Sequence, residues 1–299
     1  LPAYDVTNKL IKTKTDLSNY KDIKDIQYEE AGIRANSHVH LGQLKLFLST
    51  LQFLTDQVPI KKKIHVVYAG SAPGYNILYL SKLFPNCIWY LIDPGQAHDI
   101  QLHTSEFGTS KKSKRKFYIW EDPKYNRGKR VIENKTVEES FFNKDFYEKN
   151  LKKYIKDDDF IFLSDIRLTR KGKLQESDIH KDNNDQYEWV ETMKPKASQL
   201  KFRLPYDPKF HHSEDIYKTL GGKVYLQMFP GVSSTECRIV CEKKDIENGR
   251  VPRKVSEHEG TMFYYNRRIR SSNFDKLDFY WKSHPKYKET KKSKKYVDN

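Results

Sequence analysis

The chain has 299 residues, with 55 Lys and Arg against 40 Asp and Glu, a formal charge of +15 at neutral pH. That length holds one large α/β domain with elaborations, or two small ones, and the charge points to a polyanionic partner, nucleic acid first, with a solvated Lys-rich surface as the plain alternative. Three cysteines, Cys87, Cys237 and Cys241, are too few for a disulfide framework, and neither a long apolar run nor a signal-like leader indicates membrane or secretion, so a reducing, cytoplasmic setting is expected.

Residues 1 to 36 alternate charged and polar side chains without periodicity, which predicts an irregular arm ahead of a single domain over 37–280. From Gly42, GQLKLFLSTLQFL spaces Leu44, Phe47, Leu48, Leu51 and Leu54 as one apolar helical stripe, with Lys45 outside it. IHVVYAG, SAPGYNILYLSKLF and CIWYLID then read as strand, helix, strand, a unit that implies a parallel sheet with a right-handed crossover. Residues 109–130, rich in Lys and Arg around Phe117, Tyr118, Trp120 and Tyr125, read as an inserted basic hairpin or loop. FIFLSD at 160–165, QLKFRL at 199–204 and KVYLQMF at 223–229 continue a doubly wound α/β pattern to about residue 245, and the basic stretch 281–299 reads as a flexible tail.

The turn VVYAGSAPG sets Gly70 and Gly74 between a buried strand and a helix, where a missing Cβ lets backbone approach a ligand closely. Asp93 ends the next strand, about twenty residues on, where a carboxylate can accept both ribose hydroxyls. The spacing is not the G-x-G-x-x-G of dinucleotide sites. A phosphate-free nucleoside cofactor such as S-adenosylmethionine therefore fits better than a nicotinamide or a flavin.

Four ionisable residues stand beside core elements: Lys45, Asp165, Lys201 and Glu236. Singly, each is a commonplace surface lysine or strand-end carboxylate. In this order, and with GSAPG, they resemble the FtsJ-type 2′-O-ribose methyltransferases. More closely, they resemble the poxvirus-type cap-specific mRNA 2′-O-methyltransferases, which also serve as small subunits of viral poly(A) polymerases. GQLKLFL, VVYAGSAPG, LID, FLSDIR, SQLKFRLPY, STECR and HEGTMFYYN carry the likeness, in order, from about residue 28 to 270.

The resemblance implies a Rossmann-like methyltransferase fold that takes S-adenosylmethionine, with Gln43, Tyr68, Gly70, Gly74, Asp93, Val137 and Asp165 lining the cofactor pocket. Lys201 would act as base or alkoxide stabiliser, with Lys45, Asp165 and Glu236 completing the catalytic group. Gly95 stands where the family has a cofactor-contacting Arg. For the 7-methylguanosine cap, whose base is cationic, the family sandwiches the ring between two aromatics and reads its edge with carboxylates. Tyr28 and Tyr206 match the aromatics, and Asp207 and Glu259 the acids, although the family has one residue between the positions held here by Tyr206 and Asp207. Arg167, Arg203 and Ser234 are further candidates for RNA contact, the two arginines being equally readable as structural ion pairs.

The partners so implied are capped mRNA and a poly(A) polymerase catalytic subunit, in the cytoplasm, a viral factory or a virion. A methyltransferase of uncapped RNA and a non-catalytic processivity subunit are the alternatives. No metal site is expected, since His38, His40, His211 and His212 lack supporting ligands at usable spacing.

Overall fold

The computed structural model describes residues 42–71, 74, 76–93, 116–121, 132–136, 142–155, 160–167, 174–228 and 234–265, with 116–121, 132–136, 78, 263 and 264 described by backbone alone. In chain order the elements begin with helix α1 (Gly42–Gln57), strand β1 (Ile64–Ala69), α2 (Ile77–Leu83), β2 (Cys87–Ile92), β3 (Lys116–Glu121) and β4 (Ile132–Thr136). A short α3 (Lys144–Phe146) runs on into a π turn, followed by β5 (Phe160–Ser164), α4 (Glu176–Met193), β6 (Ala197–Phe202) and a 3-10 turn at Pro208–Phe210. The chain continues through β7 (Ile216–Leu220), β8 (Lys223–Tyr225), β9 (Cys237–Glu242), α5 (Lys243–Glu247), β10 (Arg250–Lys254) and α6 (Val255–Tyr264).

Eight described strands form one sheet in the order β4-β3-β2-β1-β5-β6-β9-β8. β1 pairs in parallel with β2 and β5, and β5 with β6, while β3 and β9 alone run against the rest. The architecture is thus α/β, with a mostly parallel, Rossmann-like sheet. Parallel strands covered on both faces must be apolar throughout, and β5, FIFLS, is buried at every position. Alternation then divides the core. Val67, Tyr90, Phe162 and Leu200 pack with Tyr187, Trp189 and Val190 of α4 on one face; Val66, Tyr68, Trp89, Leu91 and Leu163 pack with Phe53 and Leu54 of α1 on the other.

α4 is delimited by its own chemistry. A capping box between Gln175 and Asp178 opens it, and Lys194, in the left-handed conformation at φ +50°, closes it ahead of Pro195. Its sheet-facing side carries polar Asp182, Asn183 and Gln186, all fully buried, and each has a partner near the end of β5 or β6.

Two expectations change. α1 does not bury the stripe through Leu44, which is 36% exposed; its buried positions are Ser49, Thr50, Phe53 and Leu54, with Phe47 and Leu51 packed at the margin. Small side chains let the helix approach the sheet, and Ser49 Oγ lies 3.0 Å from the Lys45 carbonyl oxygen. Lys45, Ser49 and Phe53 stand four residues apart on one face, so Lys45 lies on the buried side. Second, part of the basic stretch is a strand of the main sheet: β3 pairs with β2, Trp89 opposite Trp120. The remainder of 109–130, the arm at 1–36 and the tail at 281–299 lie outside the described residues. A second sheet, β7 with β10, is antiparallel and was not foreseen. No described helix is long and apolar enough to cross a membrane.

Candidate active site

β1 sends its neighbours in opposite directions, β2 to one side and β5 to the other. Such a switch point opens a crevice at the carboxyl ends of the strands. Gly70 and Asp165 are the residues that leave β1 and β5 there, and the ladder persists through them: Gly70 N–H donates to the Ile92 carbonyl at 2.9 Å, and Asp165 N–H to that of Ala69 at 3.0 Å.

Gly70 has φ +79°, and a Cβ built on it would lie 2.9 Å from the Asp165 carbonyl carbon and 3.0 Å from Ile166 N. The close approach that requires glycine is therefore to the backbone carrying Asp165. Gly70→Ala is expected to cost about 2–4 kcal/mol, from left-handed strain plus overpacking, and to lower the urea unfolding midpoint accordingly. An unchanged midpoint would mean that β1 and β5 separate freely. Gly74, at φ +77°, opens α2 by accepting from Ile77 N–H. Asn76 joins this turn to α1, its amide donating to the Gln43 carbonyl at 2.9 Å.

Around the crevice the structure assembles the four expected residues and adds a fifth. Lys45 Nζ lies 2.5 Å from Glu236 Oε1; Lys201 Nζ lies 3.1 Å from Asp165 Oδ1 and 3.2 Å from Glu236 Oε2. Arg238 completes the network, with Nη2 2.7 Å from Asp165 Oδ1 and 3.2 Å from Glu236 Oε1, its side chain only 1% exposed. Lys201 and Arg238 are register partners across the antiparallel β6–β9 pair, so their side chains leave the same face. Gln227 seals the rear: with its amide oriented to suit every neighbour, it donates to Glu236 Oε1 at 3.2 Å and accepts from Ser49 Oγ and Arg238 Nε at 3.1 and 3.0 Å.

Arg238 lies in the STECR segment but had no role on sequence grounds. One signal could have found it: Glu236 and Arg238 are two apart at the head of a strand, a spacing that puts both on one face.

Burial by itself would raise the carboxyl pKa values, yet the surrounding cations prevail. Glu236 is held well below the usual carboxylate range by Lys201, Arg238 and Lys45, and Asp165 is lowered by Arg238 and Lys201. Lys45, buried among them, is itself lowered, mainly by desolvation and against the pull of Glu236. Three basic groups against two carboxylates leave a formal excess of one positive charge. The two carboxylates take two of the directions in which Lys201 Nζ can bond, leaving a third for a substrate atom.

The cofactor candidates gather at the same crevice. Tyr68, Gly70, Asp93 and Asp165 end or follow β1, β2 and β5. Tyr68 is 4% exposed and forms the floor, its phenol kept protonated by burial and by the charge of Asp165. Acidic groups following the two strands that flank β1 fit a ligand rich in hydroxyl and ammonium donors, as S-adenosylmethionine is. Val137 lies outside the described residues, as do Tyr28 and Gly95.

The other expected contacts divide. Tyr206 follows β6, partly buried against the core, and feels the charge of Glu259 from α6, so these two are brought together. Arg203 pairs with Glu176 at 2.5 Å and Arg167 with buried Asp182 at 3.4 Å, so both arginines are tied within the chain. Asp207 is spent locally: it caps the 3-10 turn, accepting from Lys209 N–H at 3.1 Å, and pairs with Lys209 Nζ at 2.6 Å. Ser234 Oγ accepts from Glu236 N–H at 3.3 Å and shapes the approach of that carboxylate. His211 and His212 face the Pro205 carbonyl and Lys218 N–H, respectively.

Next to Glu259, His258 stacks edge-on to Phe202, and its buried Nε2 has no hydrogen-bond partner among the described residues. Burial, with Arg253 and Arg203 nearby, lowers its pKa to about 3 from 6.5. The unfolded chain therefore binds the extra proton between those values, and stability falls as pH drops from 6.5 toward 3. His258→Leu is expected to remove up to about 3 kcal/mol of that loss between roughly pH 6.5 and 4. Urea midpoints at the two pH values check it; parallel profiles for the two proteins would refute it.

The sequence profile of the poly A polymerase regulatory subunit family matches residues 12–119 and 111–296. The chain belongs to that family. Among its curated relatives, the cap-specific mRNA (nucleoside-2′-O-)-methyltransferase of Fowlpox virus is 28% identical over 239 residues, covering 77% of this chain and 68% of the relative. The enzyme of the same description from Myxoma virus, strain Lausanne, is 29% identical over 272 residues, covering 84% and 69%.

Proposed function

We propose that this family member is an S-adenosylmethionine-dependent cap-specific mRNA 2′-O-methyltransferase, acting on the ribose of the first transcribed nucleotide of 7-methylguanosine-capped RNA. The observation that carries the reading is Lys201 Nζ held by Asp165 and Glu236 at the sheet's switch point. The cofactor's sulfonium supplies an already activated methyl group. The protein's task is then to orient a ribose hydroxyl in line with that methyl and to stabilise the negative charge that develops as its proton leaves.

Lys201 offers its remaining bonding direction to the hydroxyl oxygen. Asp165 and Glu236 fix where the amine points, and Arg238 and Lys45 keep both carboxylates ionised in a site where burial opposes it. The excess positive charge favours an alkoxide whether the lysine accepts the proton or only steers the oxygen. Asp93, Tyr68 and the Gly70 turn would hold the cofactor; Tyr206 and Glu259 would hold the cap base, the ring by stacking and the carboxylate by accepting from the guanine edge.

Transfer of labelled methyl to matched RNAs bearing a 7-methylated cap, an unmethylated cap or a 5′-triphosphate, with the modified atom mapped, tests activity, atom and cap dependence together. Label at O2′ of the first nucleotide of the methylated-cap RNA alone is the expected outcome. Equal labelling of all three would replace the cap reading with that of a general RNA 2′-O-methyltransferase. The family description favours a second role as well, association with a poly(A) polymerase catalytic subunit, which co-purification with such a subunit and stimulation of its tail synthesis would reveal.

A further inference from the structure

The ring of Tyr206 is not free on both sides. The Arg203 guanidinium carbon lies 4.7 Å from its centroid, over one face. The same guanidinium is bound by Glu176, Nη2 to Oε1 at 2.5 Å, and the other oxygen of that carboxylate accepts from the Tyr206 backbone N–H at 2.6 Å. One carboxylate, in the first turn of α4, thus fixes both the arginine and the backbone of the tyrosine it covers.

A cation behind an aromatic ring draws on the electron density that would otherwise attract a second cation in front. An uncompensated Arg203 would therefore weaken the attraction of Tyr206 for a positively charged base while leaving a neutral base nearly unaffected. Glu176 cancels that charge at contact distance. Glu259, a second charged group acting on Tyr206 among the described residues, adds negative potential and does not oppose this effect.

We propose that Glu176 is a specificity-determining positioning residue: by neutralising Arg203 over one face of Tyr206, it preserves the preference of that ring for a cationic, N7-methylated purine over a neutral one. This rests on the cap reading of the site. Its signature is a ratio of affinities, which separates it from a scaffold role, since loss of a scaffold weakens both ligands together.

The experiment compares dissociation constants of 7-methyl-GTP and GTP for the full chain, with thermal midpoints confirming that each variant folds. Glu176→Gln keeps an oxygen for the Tyr206 N–H but leaves Arg203 uncompensated. The preference for 7-methyl-GTP should fall about tenfold, as expected for an exposed unit charge at short range in a medium of intermediate dielectric, with GTP changing less than about twofold. Arg203→Met combined with Glu176→Gln removes both charges behind the ring and should restore the wild-type ratio, whereas Arg203→Met alone leaves the Glu176 carboxylate uncompensated and should not lower it. Equal weakening of both ligands in Glu176→Gln, or no recovery in the double variant, overturns the inference and leaves the cap reading standing. A wild-type chain with no preference between the ligands overturns the cap reading, and this inference with it.

Discussion

Lys201→Ala is expected to lower methyl transfer by about 10²- to 10⁴-fold, the span typical of a positioned acid–base group. The amine lies 3.1 Å from Asp165 Oδ1 and 3.2 Å from Glu236 Oε2, and its side chain remains 14% exposed, open enough to meet a substrate. Arg238 cannot replace it, being 1% exposed and committed to the same carboxylates from behind. The fold should survive, because Lys45 and Arg238 still neutralise Asp165 and Glu236. Cofactor affinity should change little, which equilibrium binding of S-adenosylhomocysteine checks. A purified Lys201→Ala protein that methylates at the wild-type rate would remove Lys201 from the chemistry and leave the network a structural one.

Arg238→Met should have the largest effect on stability, about 3–5 kcal/mol, because it removes the most deeply buried cation that contacts both part-buried carboxylates, leaving them only Lys201 and Lys45. The sign with pH is fixed by the same groups. Asp165 and Glu236 have folded pKa values below their ordinary ones, so their contribution is present above about pH 4.5 and is lost as pH falls through the folded values. Without Arg238 the depression shrinks, so the gap between variant and wild type should be widest near pH 7 and should narrow on acidification. Denaturant midpoints for both proteins at neutral pH and near pH 3.5 measure it. A gap independent of pH would mean that the loss is one of packing alone. Lys45→Met should cost less, since Glu236 keeps both Lys201 and Arg238.

The centre of the fold was legible because buried parallel strands leave a plain mark. IHVVYA, CIWYLI and FIFLS are apolar on both faces, and the turn after the first contains the glycine its geometry demands. The helix face was harder to read. Ser49 and Thr50 are buried because they are small, a reason that a search for apolar spacing passes over. β7 and β10 escaped because their burial alternates with exposed polar residues, and β10 contains Pro252. Within 109–130 composition drew attention to charge and away from KFYIWE, whose aromatic and branched residues suit a strand. At the site, Lys45, Asp165, Lys201 and Glu236 emerged from their order beside GSAPG and from the resemblance that the surrounding motifs carry. Arg238 did not, because an arginine in a strand reads as solvent-facing until its partners are known. For Arg203, both sequence readings invoked its charge, and only the fold supplied Glu176 as its partner.

The polar side of α4 bears on which ribose the chain would select. Gln186 holds the Lys201 carbonyl at 3.1 Å, Asn183 holds that of Arg203 at 2.7 Å, and Glu176 holds the Tyr206 N–H at 2.6 Å. A single rigid helix therefore pins the five-residue step between the proposed reacting amine and the proposed base-stacking ring, a step of at most about 18 Å of extended chain. With both ends fixed to one rod, the proposed site would act as a caliper of set opening: a ligand gripped at its base would present one sugar to the amine, and counting nucleotides would reduce to measuring a distance.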